Sequence, residues 1–442
     1  MNKSLYIETY GCQMNFSDSE IVNSILRENN SELIDNPEDA DIILINTCSI
    51  RDNAEKRIFN RLRELKYYKK KNKDLIIGII GCMAGRLQHN LLSDDSIVDV
   101  VVGPDSYREL PILISNALKG KAQVNTVLSE TETYDDIIPL RINSNGVSAF
   151  VSIMRGCENY CAYCVVPYTR GRERSRSANS IVDEIKSLLK NGYKEVTLLG
   201  QNVNSYLWTN SDGEQINFSK LISIIAELDE NLRIRFATSH PKDLSDELIL
   251  TIAKYKNICK HIHLPLQSGS TKVLKKMNRK YTQEWYLERI NSIKRYIPDC
   301  SITTDLIAGF CDETEEDHNQ TLEVMKLVGY DYAYMFKYSE RPNTLAQRKY
   351  ENNVPEEEKN RRLQEIIDLQ QELSLQSNKK DIDKVFEVLV EGVSKRSDKE
   401  IFGRNSQNKV IIFERKNEKP GDYVRVKVTE CTAATLKGER ID

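Results

Sequence analysis

Cys157, Cys161 and Cys164 stand at C-x3-C-x2-C spacing within RGCENYCAYCVVPYTRGR, with no fourth cysteine near them. Thiolates set that closely on one loop suit a metal, and their number limits which. Structural zinc takes four protein ligands in a closed tetrahedron, so zinc here needs a distant donor, for which His240, His261 and His263 are the candidates. A 4Fe-4S cluster has four irons; three thiolates hold it and leave one iron open to a second molecule.

A second trio is scattered. Cys12 closes SLYIETYGC, Cys48 closes ADIILINTC and Cys82 closes DLIIGIIGC, each at the end of a strand-like run. Ligands of open parallel sheets gather at the carboxyl ends of strands, so these three thiols are expected to converge. Cysteine also serves as a small hydrophobe at such positions, but three equivalent placements favour a second three-thiolate site.

The elements that position these residues follow from periodicity. Strand-like and helix-like segments alternate through residues 1–121, which predicts a parallel sheet wrapped by helices. Residues 122–148, with SETETYDD and RINSNG, read as a polar linker. Six strand signals (AFVSIMRG, EVTLLGQNV, RIRFATSH, HIHLPLQ, SITTDLIAGF, YAYMFKYS) separated by helices predict a partial or complete β/α barrel over 149–378, with its chemistry at the carboxyl ends of the strands. VFEVLVEGVS, NKVIIFE and DYVRVKVTE then predict a small β-barrel over 379–442.

The chain has 442 residues, 40% hydrophobic and 29% charged, with a formal net charge of -3. That balance excludes bulk attraction to nucleic acid, so any RNA contact must be local. The longest apolar runs, such as LIIGIIGCMAG, fall short of the roughly 18 residues of a membrane span, and MNKSLYIETYGC does not read as a secretory signal. In a reducing cytoplasm, the ten cysteines point to metal or catalytic use before disulfides. Cys259, Cys300, Cys311 and Cys431 fit neither trio and read as structural thiols. The cations of KYYKKKNK suit a helix carboxyl terminus and need no ligand. Arg170, Arg172, Arg174 and Arg176 alternate in TRGRERSR, and an extended segment would present all four on one face, to grip phosphates or to pair with acidic groups around the site.

With Tyr163 before its last cysteine, the local trio resembles the signature of radical S-adenosylmethionine (SAM) enzymes. GCQMN (11–15), NTCSIRDNAE (46–55) and the Gly81-Cys82 pair are similar to the amino-terminal domain of the methylthiotransferases among them. MRGCENYCAYCVVPYTRGRERSR resembles their tRNA-modifying branch, and the tail resembles the RNA-binding TRAM domain. Gln13, Met14 and Ser49 favour that branch over relatives acting on a ribosomal protein. The resemblance implies two 4Fe-4S clusters: one on Cys157, Cys161 and Cys164 that binds and cleaves SAM, and an auxiliary sulfur-carrying one on Cys12, Cys48 and Cys82. It implies contacts to SAM from Tyr163, Gln201, Asn202, Gln267 and Asp305. The implied reaction, using two SAM molecules, places a methylthio group on C2 of N(6)-isopentenyladenosine at position 37 of tRNA. Implied partners are the anticodon stem-loop, a low-potential electron donor and a sulfur donor or cluster carrier, served by a cytoplasmic monomer. Asn343 stands where relatives often have glycine, and Cys311-Asp312 where they often have Pro-Gly.

Overall fold

A computed structural model describes residues 2–48, 52–92, 96–142 and 144–441; Ser49, one of the branch marks, lies outside the described residues. The amino-terminal layer is a six-stranded, all-parallel sheet of β1 (Lys3–Tyr10), β2 (Ser31–Leu33), β3 (Ile42–Thr47), β4 (Ile76–Gly81), β5 (Val100–Val102) and β6 (Gln123–Asn125), in the order β2-β1-β3-β4-β5-β6. β3 and β4 are buried along their whole length and read IILINT and IIGIIG, as strands covered on both faces do. β6 arises from the first residues of the stretch expected to be linker, where Gln123 pairs with Val100. The rest of that stretch is also held down: Tyr134 is buried, stacks on Tyr107 at 5.8 Å and donates its hydroxyl to Pro104 O at 2.9 Å.

The second unit is a partial β/α barrel. Ser148–Ser152, Glu195–Leu199 and Arg233–Phe236 form one parallel sheet, and His261–His263, Ser301–Ala308 and Tyr332–Lys337 another. A single bridge, Ile234 to Ile258, joins the halves. These are the six strands expected. Amphipathic helices such as Ala178–Lys190 and Phe218–Ala226 cover the outside, capped by Ser177 and Asn217, whose side chains accept from Ser180 N and Lys220 N. On the last strand, Ala333 and Met335 pack into the core layer beneath helix Glu356–Lys379, leaving Tyr332, Tyr334 and Phe336 exposed on the other face.

The tail is a closed five-stranded barrel in the order Val385–Ser394, Ser397–Arg404, Val410–Glu414, Leu436–Arg440, Tyr423–Cys431. It docks under the amino-terminal ends of the larger barrel's strands, where Arg233 Nη1 donates to Arg404 O at 2.5 Å and Arg235 Nη2 to Asn405 O at 2.8 Å. Among the described residues no helix is long and apolar enough to cross a membrane.

Candidate iron-sulfur active site

β1, β3 and β4 are neighbours, with Tyr10 opposite Thr47 and Thr47 opposite Gly81. Cys48 and Cys82 therefore follow directly on one rung, and Cys12 lies one residue further along its own strand. Two glycines let the chain turn there. A Cβ on Gly11 would stand 2.3 Å from Asn15 Oδ1 and 2.9 Å from the Cys48 Cβ, and Gly81, at φ +91°, has Asn46 Oδ1 at 2.5 Å from its ideal Cβ. Cys12 caps helix α1 (Gln13–Glu28), and Asn15 in its first turn accepts from the Cys12 backbone N–H at 3.2 Å while its amide donates to Asn46 Oδ1 at 2.9 Å. The hydrogen bond with Cys48 draws the exposed Cys12 thiol down to about 6, helped by Arg170, whereas burial pushes Cys82 up.

The local trio follows the first barrel strand. Gly156, at φ +77°, begins the loop; a Cβ there would lie 1.8 Å from Arg172 O. Each sulfur accepts one N–H: Cys157 from Asn159 Nδ2 at 3.4 Å, Cys161 from Arg279 Nη1 at 3.2 Å and Cys164 from the Val166 backbone at 3.5 Å. Burial pushes Cys157 up to about 11 and Cys164 to about 12. Metal ions displace those protons when the thiols coordinate as thiolates. Among the described residues, no three His, Cys, Asp or Glu side chains stand close enough to grip one ion together. Three thiols on separate irons of a cluster have no need to, whereas a tetrahedral zinc requires it. His261 and His263, candidate zinc donors, both hydrogen-bond Thr303 Oγ1 at 3.0 Å.

Beside the trio lies a set of buried polar atoms without hydrogen-bond partners: Gln201 Oε1, both side-chain atoms of Asn204, Ser239 Oγ and His240 Nε2. They belong to the loops after the second and third barrel strands, which Asn202 ties together by accepting from His240 N at 3.0 Å. The His240 ring packs on Tyr281 at 5.7 Å, and the Tyr281 hydroxyl accepts from Arg279 Nε at 3.0 Å, the same arginine that reaches Cys161. Burial, with Arg279 nearby, lowers His240 to about 2, so its imidazole is neutral. Buried polar atoms are costly unless something satisfies them. Thr238 at φ +72° and Gln267 at φ +71° add backbone strain on the same rim. The donor set and the orphaned atoms fit a cluster with a polar organic cofactor beside it.

The expected contacts divide. Tyr163 packs edge-on to Phe310, with ring centroids 6.5 Å apart, and its hydroxyl lies 3.4 Å from Arg279 Nη1. Gln201 keeps an unused carbonyl oxygen, but Asn202 has its amide committed within the protein, donating to Asp243 Oδ2 at 2.7 Å. Gln267 is buried and uses its backbone to bridge Asp305 and Ile307. Asp305 lies on the inner face of its strand, 3.4 Å from His263 Nε2. Asp312 and Asn343 both take positive φ, 59° and 65°, so they occupy conformations that glycine would adopt.

The arginine row does not form the shared face expected of it, and three of its four members take the other expected role, pairing with acidic groups. Val166–Arg170 is helical and Gly171, at φ +71°, reverses the chain, so the four side chains do not share a face. Arg170, Arg174 and Arg176 are buried: Arg170 Nη2 pairs with Asp18 at 2.7 Å, Arg174 Nη2 with Asp105 at 2.9 Å, and Arg176 with Glu184. Arg172 alone, 72% exposed, faces solvent. Arg170 Nε also donates to Cys82 Sγ at 3.1 Å, so one side chain from the second unit reaches the scattered trio of the first. Asn15, Asp18, Asn159 and Arg279 also line the two trios, although no spacing marks them in sequence.

Three family models match the chain: an uncharacterized protein family, UPF0004, over residues 4–103, the Radical SAM superfamily over 151–325 and the TRAM domain over 379–441. The tRNA-2-methylthio-N(6)-dimethylallyladenosine synthase of Bacteroides fragilis is 56% identical over 440 residues, which span 100% of this chain and 96% of that protein. Its counterparts in Amoebophilus asiaticus and Christiangramia forsetii are 55% and 51% identical, with 99% of this chain and 93% and 94% of theirs covered. Among solved structures, the radical SAM methyltransferase TsrM of Kitasatospora setae, with cobalamin and a [4Fe-4S] cluster, shares the fold at TM-score 0.58 and 14% identity, over 78% of this chain and 77% of that one. OxsB, a cobalamin-dependent SAM radical enzyme, does so at TM-score 0.54 and 15% identity, over 83% and 56%. Superfamily membership implies a 4Fe-4S cluster and SAM. With identity above half along nearly its whole length, the chain belongs to the tRNA-2-methylthio-N(6)-dimethylallyladenosine synthase family of the radical SAM superfamily.

Proposed function

We propose that this enzyme is the tRNA methylthiotransferase of its family, placing a methylthio group on C2 of N(6)-isopentenyladenosine at position 37 of cytoplasmic tRNA, with two SAM molecules per turnover. Cys157, Cys161 and Cys164 would hold the SAM-binding cluster, and Cys12, Cys48 and Cys82 the auxiliary one. Bound there, the two clusters supply reductive cleavage of SAM and the sulfur to be transferred.

The observation that carries this reading is the continuity of the two trios. Six positions after Cys164 in the chain, Arg170 touches Cys82. Hydrogen removal and sulfur delivery at one carbon require two clusters near one substrate, and Arg170 supports that reading by linking the chain segment of one trio to a thiol of the other. The chain's own groups set the stage. Gln201, Asn204, Ser239 and neutral His240 offer unspent polar atoms for the amino, carboxylate and ribose groups of SAM. Tyr163 packs next to Phe310, closing one side of the loop against water. Asp305 and His263 line the inner face beside Tyr334, whose ring lies 5.8 Å from His263. Exposed Tyr332, Tyr334 and Phe336 offer π-faces to bases splayed from an anticodon loop. The TRAM barrel and exposed Arg172 would hold the flanking backbone.

The direct test is mass spectrometry of nucleosides from isopentenylated tRNA after anaerobic incubation with reconstituted enzyme, SAM and a strong reductant, beside a ribosomal-protein peptide. A methylthio mass gain on isopentenyladenosine alone is expected. A gain on the peptide alone would move the substrate to the other branch.

A further inference from the structure

Between the amino-terminal sheet and the barrel lies a buried charge cluster. Arg155, Arg170 and Arg174 face Asp18 and Asp105, and all five side chains are almost wholly inaccessible. Arg155 Nη2 stands 2.9 Å from Asp18 Oδ1, and Arg155 Nε 3.7 Å from Asp105 Oδ1. Three guanidiniums against two carboxylates leave one positive charge over. An uncompensated buried charge is strongly unfavourable, and arginine does not relieve it by losing its proton. The imbalance lies beside the thiols of Cys12 and Cys82, where Arg170 Nε already donates to the Cys82 sulfur. Arg170 Nη1 is buried and has no hydrogen-bond partner. A thiolate-held cluster would bring both what is missing, negative charge and a sulfur acceptor.

The geometry points to Arg170 as a positioning residue for the auxiliary cluster, contributed by the radical SAM unit to a site whose ligands all lie in the other unit. This inference rests on reading Cys12, Cys48 and Cys82 as a cluster site. Arg170 completes that site only when the two units are docked, because Asp18, on α1, fixes its other end. Cluster retention and domain docking are then linked: whatever weakens one weakens the other. Hydrogen bonds to cluster sulfurs also raise the reduction potential, so Arg170 keeps the auxiliary cluster easier to reduce than its ligands alone would make it.

The test uses the full chain carrying C157A, C161A and C164A, so that only the auxiliary site can load. In that background, R170M and R170K are compared with Arg170 for iron and sulfide per chain after anaerobic reconstitution, iron loss to a chelator, and midpoint potential by electron paramagnetic resonance titration. R170M is expected to lose cluster affinity by roughly tenfold or more, the range typical for removing an outer partner of metal ligands, and to shift the potential downward. R170K retains the charge and the Asp18 pairing but not the forked donors, and should load iron with a smaller downward shift. Should R170M fail to fold, R170K carries the test. Unchanged iron retention and potential in both variants, or in R170K alone if R170M does not fold, would overturn the inference. Absence of iron from the parental triple variant would instead overturn the two-cluster reading on which it rests.

Discussion

Arg279 donates from Nη1 to the sulfur of Cys161 at 3.2 Å and from Nη2 to Pro265 O at 3.1 Å, which fixes the middle cysteine of the local trio to the loop after the fourth barrel strand. It does for one trio what Arg170 does for the other: a buried guanidinium, brought from elsewhere in the fold, lies on one thiol. Replacement of Arg279 by methionine removes that donor and the one to the Tyr281 hydroxyl, which keeps its own donation to the carbonyls of Pro265 and Leu266. SAM cleavage in the absence of tRNA should fall roughly 10- to 100-fold, as outer-sphere losses usually do, while iron at the auxiliary site persists. Cleavage at the parental rate would remove Arg279 from the working site.

The two trios should separate by mutation. Cys48 follows β3 in the amino-terminal sheet, whereas Cys157, Cys161 and Cys164 follow the first barrel strand, so C48A is expected to abolish methylthiolation yet retain SAM cleavage. C161A should abolish both. Iron should drop from about eight per chain to about four in either variant, since each site holds four. Methylthiolation surviving C48A would sink the two-cluster scheme.

Much of this was legible in sequence, for physical reasons that also explain what was not. A cysteine trio on one loop announces itself by spacing, and thiols after successive buried strands converge because parallel strands end on the same edge. The six barrel strands were visible as short strand-like runs alternating with amphipathic helices. The arginine row misled because alternation alone implies an extended face, while helix Val166–Arg170 and the positive φ of Gly171 turn the side chains apart. Their carboxylate partners lie far away in the chain, Asp18 and Asp105 among them. Asn202 sits at the expected strand end, but its amide is consumed by Asp243, a pairing no local pattern encodes. β2 and β6, three residues each, and the small barrel's strands Ser397–Arg404 and Leu436–Arg440 are too short or too polar to stand out.

Asp317 supplies a pH-dependent prediction away from the clusters. It closes the capping box of helix Glu315–Val328 with Thr314 and accepts from Ser270 Oγ at 2.6 Å, pinning the loop that carries Gln267. Burial works against its charge, but the hydrogen bonds from Ser270, Thr314 and Lys272 prevail and hold the carboxyl down at about 2. A depressed carboxyl stabilises the folded chain above its unfolded value, near pH 4, and the contribution fades as pH falls through the folded one. D317N should therefore cost about 2 kcal/mol in urea unfolding at pH 7, with the gap to the parent narrowing steadily below about pH 4. A gap that stays constant down to pH 3 would mean that shape, and not ionisation, accounts for the loss.

Arg172 and Arg174, two residues apart, should respond in opposite ways. Arg172 is exposed, with Glu158 a loose 3.9 Å away, whereas Arg174 is buried against Asp105. R172A removes one phosphate-reaching cation and nothing from the core. It should weaken tRNA binding several-fold and lower the slope of log affinity against log salt by about one, with thermal stability unchanged. R174A removes the nearest partner of Asp105, leaving Arg155 at 3.7 Å, and takes away the buried donors to Ser129 O and Arg170 O, so it should destabilise the chain by about 1–3 kcal/mol. Its effect on tRNA binding should vanish once the folded fraction is taken into account. Filter binding of tRNA across a salt series, run beside thermal melts of both variants, distinguishes the two roles. If R174A instead alters the salt slope while melting like the parent, Arg174 is available to RNA in solution and the buried pairing with Asp105 is not its working state.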